Sequence, residues 1–135
     1  MTTQPSGYSG TLLAKKLGLK PNMNIILMNE PADYFNKIEM PKTAFNIIKS
    51  EKSNTDFIHL FSTSTEQLTN QLSEAIPALK HDGMLWISWS KGVKTFNREN
   101  VREIGLATGL VDIKVAAFDE QWSGLKFVYR TNDRN

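Results

Sequence analysis

The sequence predicts an α/β protein in which helices cover both faces of a mostly parallel β-sheet. Short apolar segments alternate with segments whose apolar residues recur at helical spacing. The segment at about 23–28 is apolar on both faces, as expected of an interior strand. The last two apolar segments are joined by a short, turn-rich connection, which indicates an antiparallel hairpin. Together these observations predict a three-layer sandwich that ends in an antiparallel pair.

Elements in the first half are defined by caps and prolines. Residues 11–18 form a helix, with Thr11 as its cap and Gly18 at its end. The apolar strand at about 23–28 follows, and Pro31 then suits the first position of a helix over 31–38. Residues 43–49 are apolar enough for a second strand.

The second half follows the same alternation. Residues 56–62 form a third strand, and Ser64 with Gln67 makes a capping box for a helix over about 65–79. A turn at Asp82 and Gly83 leads into a strand over 84–89. The remaining elements are a helix that runs from the cap Asn97 to about Ala107 and two strands, 111–118 and 125–130. The predicted order is αβαββαβαββ.

Length and composition predict one domain and exclude several classes of site. The chain has 135 residues, 40% of them hydrophobic and 22% charged, which suits a single packed domain over 11–130. Residues 1–10 form a polar arm and residues 131–135 a frayed tail. The absence of cysteine excludes disulfides and thiolate sites, and two histidines argue against a histidine metal site.

Charge and hydropathy predict a cytoplasmic protein that contacts neither membrane nor nucleic acid. The net charge of +2 is too small to indicate nucleic-acid binding. No apolar run approaches the roughly 20 residues that span a bilayer, and the first ten residues lack the pattern of a signal peptide.

Three segments resemble class I methyltransferases, which bind S-adenosylmethionine on a Rossmann-like fold. Residues 56–60, DFIHL, are similar to that family's fDlv strand, and residues 79–88 are similar to its LkpGGrlvis turn and strand. Residues 109–130 are similar to its closing antiparallel pair. The resemblance implies a Rossmann-like sheet, and it carries little catalytic information because many unrelated activities share the fold.

A second resemblance covers nearly the whole chain. Residues 6–18, 82–89 and 119–128 are similar to a bacterial family of small uncharacterised proteins, classified as a domain of unknown function. This resemblance implies a bacterial, cytoplasmic setting and the same fold. It assigns no catalytic residue, so we predict none.

The cofactor loop of the methyltransferases is missing from the sequence. In that family a G-x-G-x-G loop after the first strand lets the backbone approach the cofactor, whereas here Met28–Pro31 is bulky and acidic. Glu51 is roughly placed to hold a ribose but lies in a solvated run. We therefore predict that no cofactor is bound, with S-adenosylmethionine in an atypical site as the alternative.

A candidate ligand site lies where the strands end. In open α/β sheets, ligands bind beyond the carboxyl ends of the strands, at the point where strand order reverses. The residues that leave those ends form a polar cluster with an aromatic wall and one cation, namely Asn29, Glu30, Ser62, Thr63, Trp89 and Lys91. The alternative is that Glu30, Ser62 and Ser64 only cap helices.

Three further features of the sequence have both a functional and a structural interpretation. His59 lies mid-strand, and we predict a buried histidine satisfied by one hydrogen bond rather than a catalytic base. Trp122 is predicted at an exposed hairpin tip, where it either anchors a partner or packs in the core. Lys91, Lys94 and Arg98 form a basic loop that either binds phosphate or is simply solvated.

Taken together, the sequence favours a non-catalytic binding or regulatory module. Its partner is an unidentified small molecule or protein, with a homodimer as one option. A methyltransferase-like enzyme with an atypical cofactor site is the competing hypothesis. An RNA- or phosphate-binding protein that uses the basic loop is the third.

Overall fold

A computed structural model describes residues 12–49 and 53–130 of the chain. The predicted arm, the cap Thr11, Glu51 and the predicted tail lie outside these residues. The helices and strands, in chain order, are α1 (Leu12–Leu17), β1 (Asn24–Met28), α2 (Tyr34–Ile38), β2 (Asn46–Ile47), β3 (Thr55–Ser62), α3 (Thr65–Ala78), β4 (Leu79–Ser90), α4 (Arg98–Ala107), β5 (Val111–Ala117) and β6 (Trp122–Val128).

The strands form one sheet in the order β2-β1-β3-β4-β6-β5. The first four strands pair in parallel, whereas β6 is antiparallel to both β4 and β5. The predicted fold class, a mostly parallel Rossmann-like sheet with a C-terminal antiparallel hairpin, is confirmed. The predicted order of helices and strands is confirmed as well.

Helices cover both faces of the sheet, so the protein has three layers. On one face, α3 and α4 place Leu68, Leu72 and Val101 over strand residues such as Ile58 and Ile87. The other face is packed by α1 and α2, whose buried residues are Ala14, Leu17, Tyr34 and Ile38. An indole hydrogen bond fixes α1 to the sheet, because Trp86 Nε1 donates to the Leu17 carbonyl at 2.8 Å.

Helix boundaries in the second half follow the predicted caps. Ser64 accepts a hydrogen bond from the Gln67 N–H at 3.1 Å and starts α3. Asn97 and Asn100 form a reciprocal capping box at the start of α4. No helix in the described part of the chain combines the length and hydropathy that crossing a bilayer requires.

Several boundaries differ from the prediction for local reasons. Helix α2 starts at Tyr34, because residues 31–33 form a turn in which the Tyr34 N–H donates to the Pro31 carbonyl. Lys42–Ala44 forms a single 3₁₀ turn, which leaves only two residues for β2. Strand β4 begins earlier, because Leu79 already pairs with Thr55 ahead of a register shift.

Candidate functional site

The crevice predicted to hold a ligand lies between the carboxyl ends of β1 and β3. Asn29 follows β1 with a φ of 59°, in the left-handed region that glycine normally occupies and asparagine tolerates. Its side-chain Nδ2 donates to the Phe61 carbonyl on β3 at 3.1 Å. The turn therefore keeps a glycine-like backbone, while the asparagine amide bridges the two strands.

Two glutamines of α3 complete the hydrogen bonding at the end of β3. Gln71 Nε2 donates to the same Phe61 carbonyl at 3.2 Å, and its Oε1 accepts from the buried Ser62 hydroxyl. Gln67 Oε1 accepts from the Thr63 N–H at 2.8 Å. The polar groups at the end of β3 are thus already hydrogen-bonded to side chains of the protein itself.

The structure brings only part of the predicted cluster together. Asn29, Ser62 and Thr63 converge through these amides, and Glu30 is exposed beside them. Neither glutamine was predicted as a site residue: Gln67 was expected only in the capping box, and Gln71 was not singled out, although their spacing of four residues places both on one face of a helix. That spacing is the sequence signal that would have found them.

The other predicted site residues lie on or after β4. Trp89 is the register partner of Ser62 at the carboxyl end of the sheet and is buried in the core with residues of α3 and α4. Lys91 is exposed, and its Nζ donates to the Asp119 carbonyl at 3.2 Å. Lys94 and Arg98 are exposed, and Arg98 is the first residue of α4.

Trp122 does not lie at an exposed tip, which corrects the expectation about its position. It is the first residue of β6, is partly buried, and packs edge-on against Phe61 with ring centroids 5.1 Å apart. Asp119 Oδ1 fixes the preceding turn by accepting from the N–H groups of Gln121 and Trp122, both at 2.8 Å. Much of the DEQWSG segment is therefore accounted for by turn and core packing.

His59 is fully buried at the centre of a polar chain. Its Nδ1 lies 2.9 Å from the Tyr34 hydroxyl, and its Nε2 lies 2.8 Å from the Ser88 hydroxyl. The histidine therefore makes two hydrogen bonds rather than the single one expected. A Cβ added at Gly124 would lie 3.0 Å from Ser88 Oγ, so glycine at this position leaves room for the serine hydroxyl beside β6.

Burial also determines the charge state of the hydrogen-bonded side chains of His59 and Tyr34. Loss of hydration lowers the pKa of His59 from 6.5 to about 3. Burial, and to a smaller extent the negative charge of Glu30, raise the pKa of Tyr34 well above its usual range. A histidine with so low a pKa is a weak proton acceptor at pH 7, which argues against His59 as a base in acid–base chemistry.

Two cavities lie outside the crevice. One, of about 640 Å³, is mostly apolar and runs between α3 and α4. The other, of about 290 Å³, involves β1, the segment that follows β2, and α3, and is lined by Ile26, Leu27, Met28, Ile48, Lys49 and Glu74. Within residues 12–49 and 53–130, no three acidic or histidine side chains cluster as metal ligands would.

Comparisons with solved structures identify the fold class as that of S-adenosylmethionine-dependent methyltransferases. A methyltransferase from Aquifex aeolicus matches with a TM-score of 0.56 and 18% identity, covering 85% of this chain and 86% of that one. The ribosomal protein L11 methylase from Lactobacillus delbrueckii subsp. bulgaricus matches with a TM-score of 0.59 and 12% identity. The match covers 88% of this chain and 75% of that one.

A third similar structure contains a bound ligand. The 1,6-didemethyltoxoflavin-N1-methyltransferase from Burkholderia thailandensis, which holds S-adenosylhomocysteine, matches with a TM-score of 0.57 and 9% identity, covering 86% and 74% of the two chains. No protein-family model matches the chain, and no curated protein matches it in sequence. Membership of the bacterial family of uncharacterised proteins therefore stays a prediction.

These comparisons contradict the prediction that no cofactor is bound. The similar structures are described as dependent on S-adenosylmethionine or hold its demethylated product. The prediction rested on the missing glycines and on the bulky, acidic residues in their place. It overlooked that Asn29 adopts the left-handed backbone conformation for which glycine is normally used.

Proposed function

We propose that this protein binds S-adenosylmethionine at the carboxyl ends of β1 and β3 and acts as a methyltransferase-like enzyme. The observation that carries the proposal is the fold, which is similar to that of structures described as S-adenosylmethionine-dependent or containing S-adenosylhomocysteine. In an open α/β sheet this end of the strands is the general position of ligand sites.

Two residues of the crevice suit the cofactor. Asn29 supplies the turn conformation that allows the chain to leave β1 sharply. Glu30 offers an exposed carboxylate to a ligand that carries a sulfonium and an ammonium group. When bound, the cofactor would supply an electrophilic methyl group, while Glu30 would hold its positive charge and Asn29 and Gln71 would border it.

Binding requires one rearrangement. Asn29 and Gln71 both donate to the Phe61 carbonyl, so a ligand that enters between β1 and β3 must displace at least one of these amides. Replacing Asn29 by glycine keeps the left-handed backbone and removes the amide. We expect the Asn29→Gly variant to bind S-adenosylmethionine more tightly than the native chain.

Calorimetric titration with S-adenosylmethionine tests the proposal. The native chain should bind it, and Glu30→Gln should weaken binding by about fivefold, the effect of removing roughly 1 kcal/mol of exposed charge attraction. Glu120→Gln, an exposed change in the β5–β6 turn, is the matched control and should leave binding unchanged. Absence of binding to both the native chain and Asn29→Gly would refute the proposal.

A second candidate is a binding module that holds the cofactor without transferring its methyl group. The closed hydrogen bonding of the crevice favours it, because Gln67 and Gln71 pair the groups at the end of β3. Incubation of the protein and S-adenosylmethionine with cell extract separates the two candidates. Conversion to S-adenosylhomocysteine above the rate of the extract alone supports the enzyme, and recovery of unchanged cofactor supports the module.

A further inference from the structure

Among the described residues, no strand pairs with the outer edge of β1 toward its carboxyl end. Strand β2 pairs only with Asn24 and Ile25, and the last hydrogen bond between the two segments runs from the Ile48 N–H to the Ile25 carbonyl at 3.0 Å. In a strand, residues two apart have the same backbone orientation. The N–H and carbonyl of Leu27 therefore face the same side as those of Ile25, where the described chain places no strand beside them.

A cavity of about 290 Å³ adjoins this edge. Ile26 and Met28 of β1 and Ile48 supply its apolar part, while the rest of its lining is polar. Ligand pockets for drug-sized molecules hold roughly 300–1,000 Å³, so this cavity is at the lower limit of that range. Its size suits a ligand as small as an amino acid better than one that contains a nucleoside.

Opposite charges come from two separate elements at the rim of the cavity. Lys49 follows β2, and Glu74 lies on α3, and both side chains line the cavity and are exposed. Neither of them makes an ion pair within the described residues, whereas Lys37, Lys80 and Arg102 do. The cavity therefore presents one cation and one anion that are not neutralised by each other.

We propose that this cavity binds a free α-amino acid with an apolar side chain, held as the zwitterion. The ammonium of Lys49 faces the ligand carboxylate, and the carboxylate of Glu74 faces the ligand ammonium. The ligand side chain lies on Ile26, Met28 and Ile48, and the edge groups of Leu27 offer a backbone donor and acceptor. Charge-assisted hydrogen bonds at both ends give selectivity for the zwitterion over either singly charged analogue.

The proposal is independent of the methyltransferase-like function, because the two sites use different residues. The crevice is bordered by Asn29, Glu30 and Gln71, and none of these lines the cavity. Binding of leucine without any binding of S-adenosylmethionine would remove the proposed function and leave this inference intact.

Calorimetry with L-leucine and two analogues tests the ligand class. Leucinol lacks the carboxylate and 4-methylpentanoate lacks the ammonium group. We expect L-leucine and L-methionine to bind at millimolar or lower concentration, and each analogue to bind about tenfold more weakly, as expected for the loss of one charged hydrogen bond. Equal binding of leucine and both analogues, or no binding of any amino acid, would overturn the proposal.

Variants at the rim locate the site. Lys49→Met and Glu74→Gln should each weaken leucine binding about tenfold, whereas the matched exposed changes Lys20→Met and Glu103→Gln should not. Leucine should shift the backbone amide resonances of Leu27 and Ile48. Shifts confined to other regions, or rim variants that bind normally, would refute the assignment.

Titration of leucine into protein saturated with S-adenosylmethionine distinguishes the free amino acid from the methionyl part of the cofactor. Simultaneous binding of both ligands supports a separate amino-acid site. Mutual exclusion, with cofactor-induced shifts at Leu27 and Ile48, would assign the cavity to the cofactor and overturn the inference. Tight binding of an extended peptide without binding of leucine would do so as well.

Discussion

Acidification should destabilise the protein through His59, and the effect has a defined pH range. Loss of hydration lowers the pKa of this histidine in the folded protein to about 3, while its ordinary value of 6.5 applies to the unfolded chain. Between these values the unfolded chain binds a proton that the folded protein does not. The stability is therefore complete above about pH 6.5 and is lost progressively as the pH falls toward 3.

The size of the effect follows from the two pKa values. Integration of the proton-binding difference gives a loss of about 2 kcal/mol at pH 5 and about 3 kcal/mol at pH 4, relative to pH 7. A domain of this size has a total stability of roughly 5–15 kcal/mol, so the change is a large fraction of it. The structural reason is that both ring nitrogens already face hydroxyl groups, Tyr34 and Ser88, and no carboxylate pairs with the ring among its described hydrogen-bond partners.

Urea unfolding at pH 7, 5 and 4, followed by tryptophan fluorescence, measures this loss. His59→Gln removes the titrating group, so it should lower the stability at pH 7 yet flatten its pH dependence by about 2 kcal/mol between pH 7 and 5. His81→Gln removes an exposed histidine and should keep the native pH dependence. If His59→Gln and the native chain lose stability in parallel on acidification, the assigned cause is wrong.

Three further changes test the local structure by urea unfolding at pH 7. Asn29→Val should destabilise by about 1–2 kcal/mol, because β-branched residues disfavour the left-handed conformation, while Asn29→Gly should be close to neutral; equal effects would contradict the role of φ. Gly105→Ala should destabilise by about 1–3 kcal/mol, since its Cβ would overlap the Phe127 ring, although alanine is the better helix former; a gain in stability would show that the ring moves aside. Ser64→Ala should cost about 1 kcal/mol by removing the cap of α3, and Ser73→Ala is the exposed control on the same helix.

The topology was predictable because it depends on patterns that are local in sequence. Leu68 and Leu72 share a helix face, Ser64 marks a helix start, and the short turn before Trp122 allows only a hairpin. Boundaries were less predictable where competing local structures have similar energy. The 3₁₀ turn at 42–44 took up the first two residues of the expected second strand, because tertiary contacts decide between these conformations.

At the candidate site, the arrangement of the strand ends was predictable and the side-chain contacts were not. The strand ends were correctly expected at one edge, which is a property of parallel strands. Whether Asn29 faces a ligand or the Phe61 carbonyl depends on a residue 32 positions away, which no local pattern records. Trp122 was misplaced for the same reason, because its packing partner Phe61 is distant in sequence.

The buried chain of Tyr34, His59 and Ser88 also has a consequence for how the strands align. His59 of β3 and Ser88 of β4 meet on one face of the sheet, in a register where His59 lies opposite Trp86. A slip of β3 by one residue would turn the imidazole toward the aliphatic residues under α3 and strip three polar groups of their partners at once. The hydrogen bonds thus stabilise the native register of β3 and β4, because a pairing shifted by one residue would lose all of them.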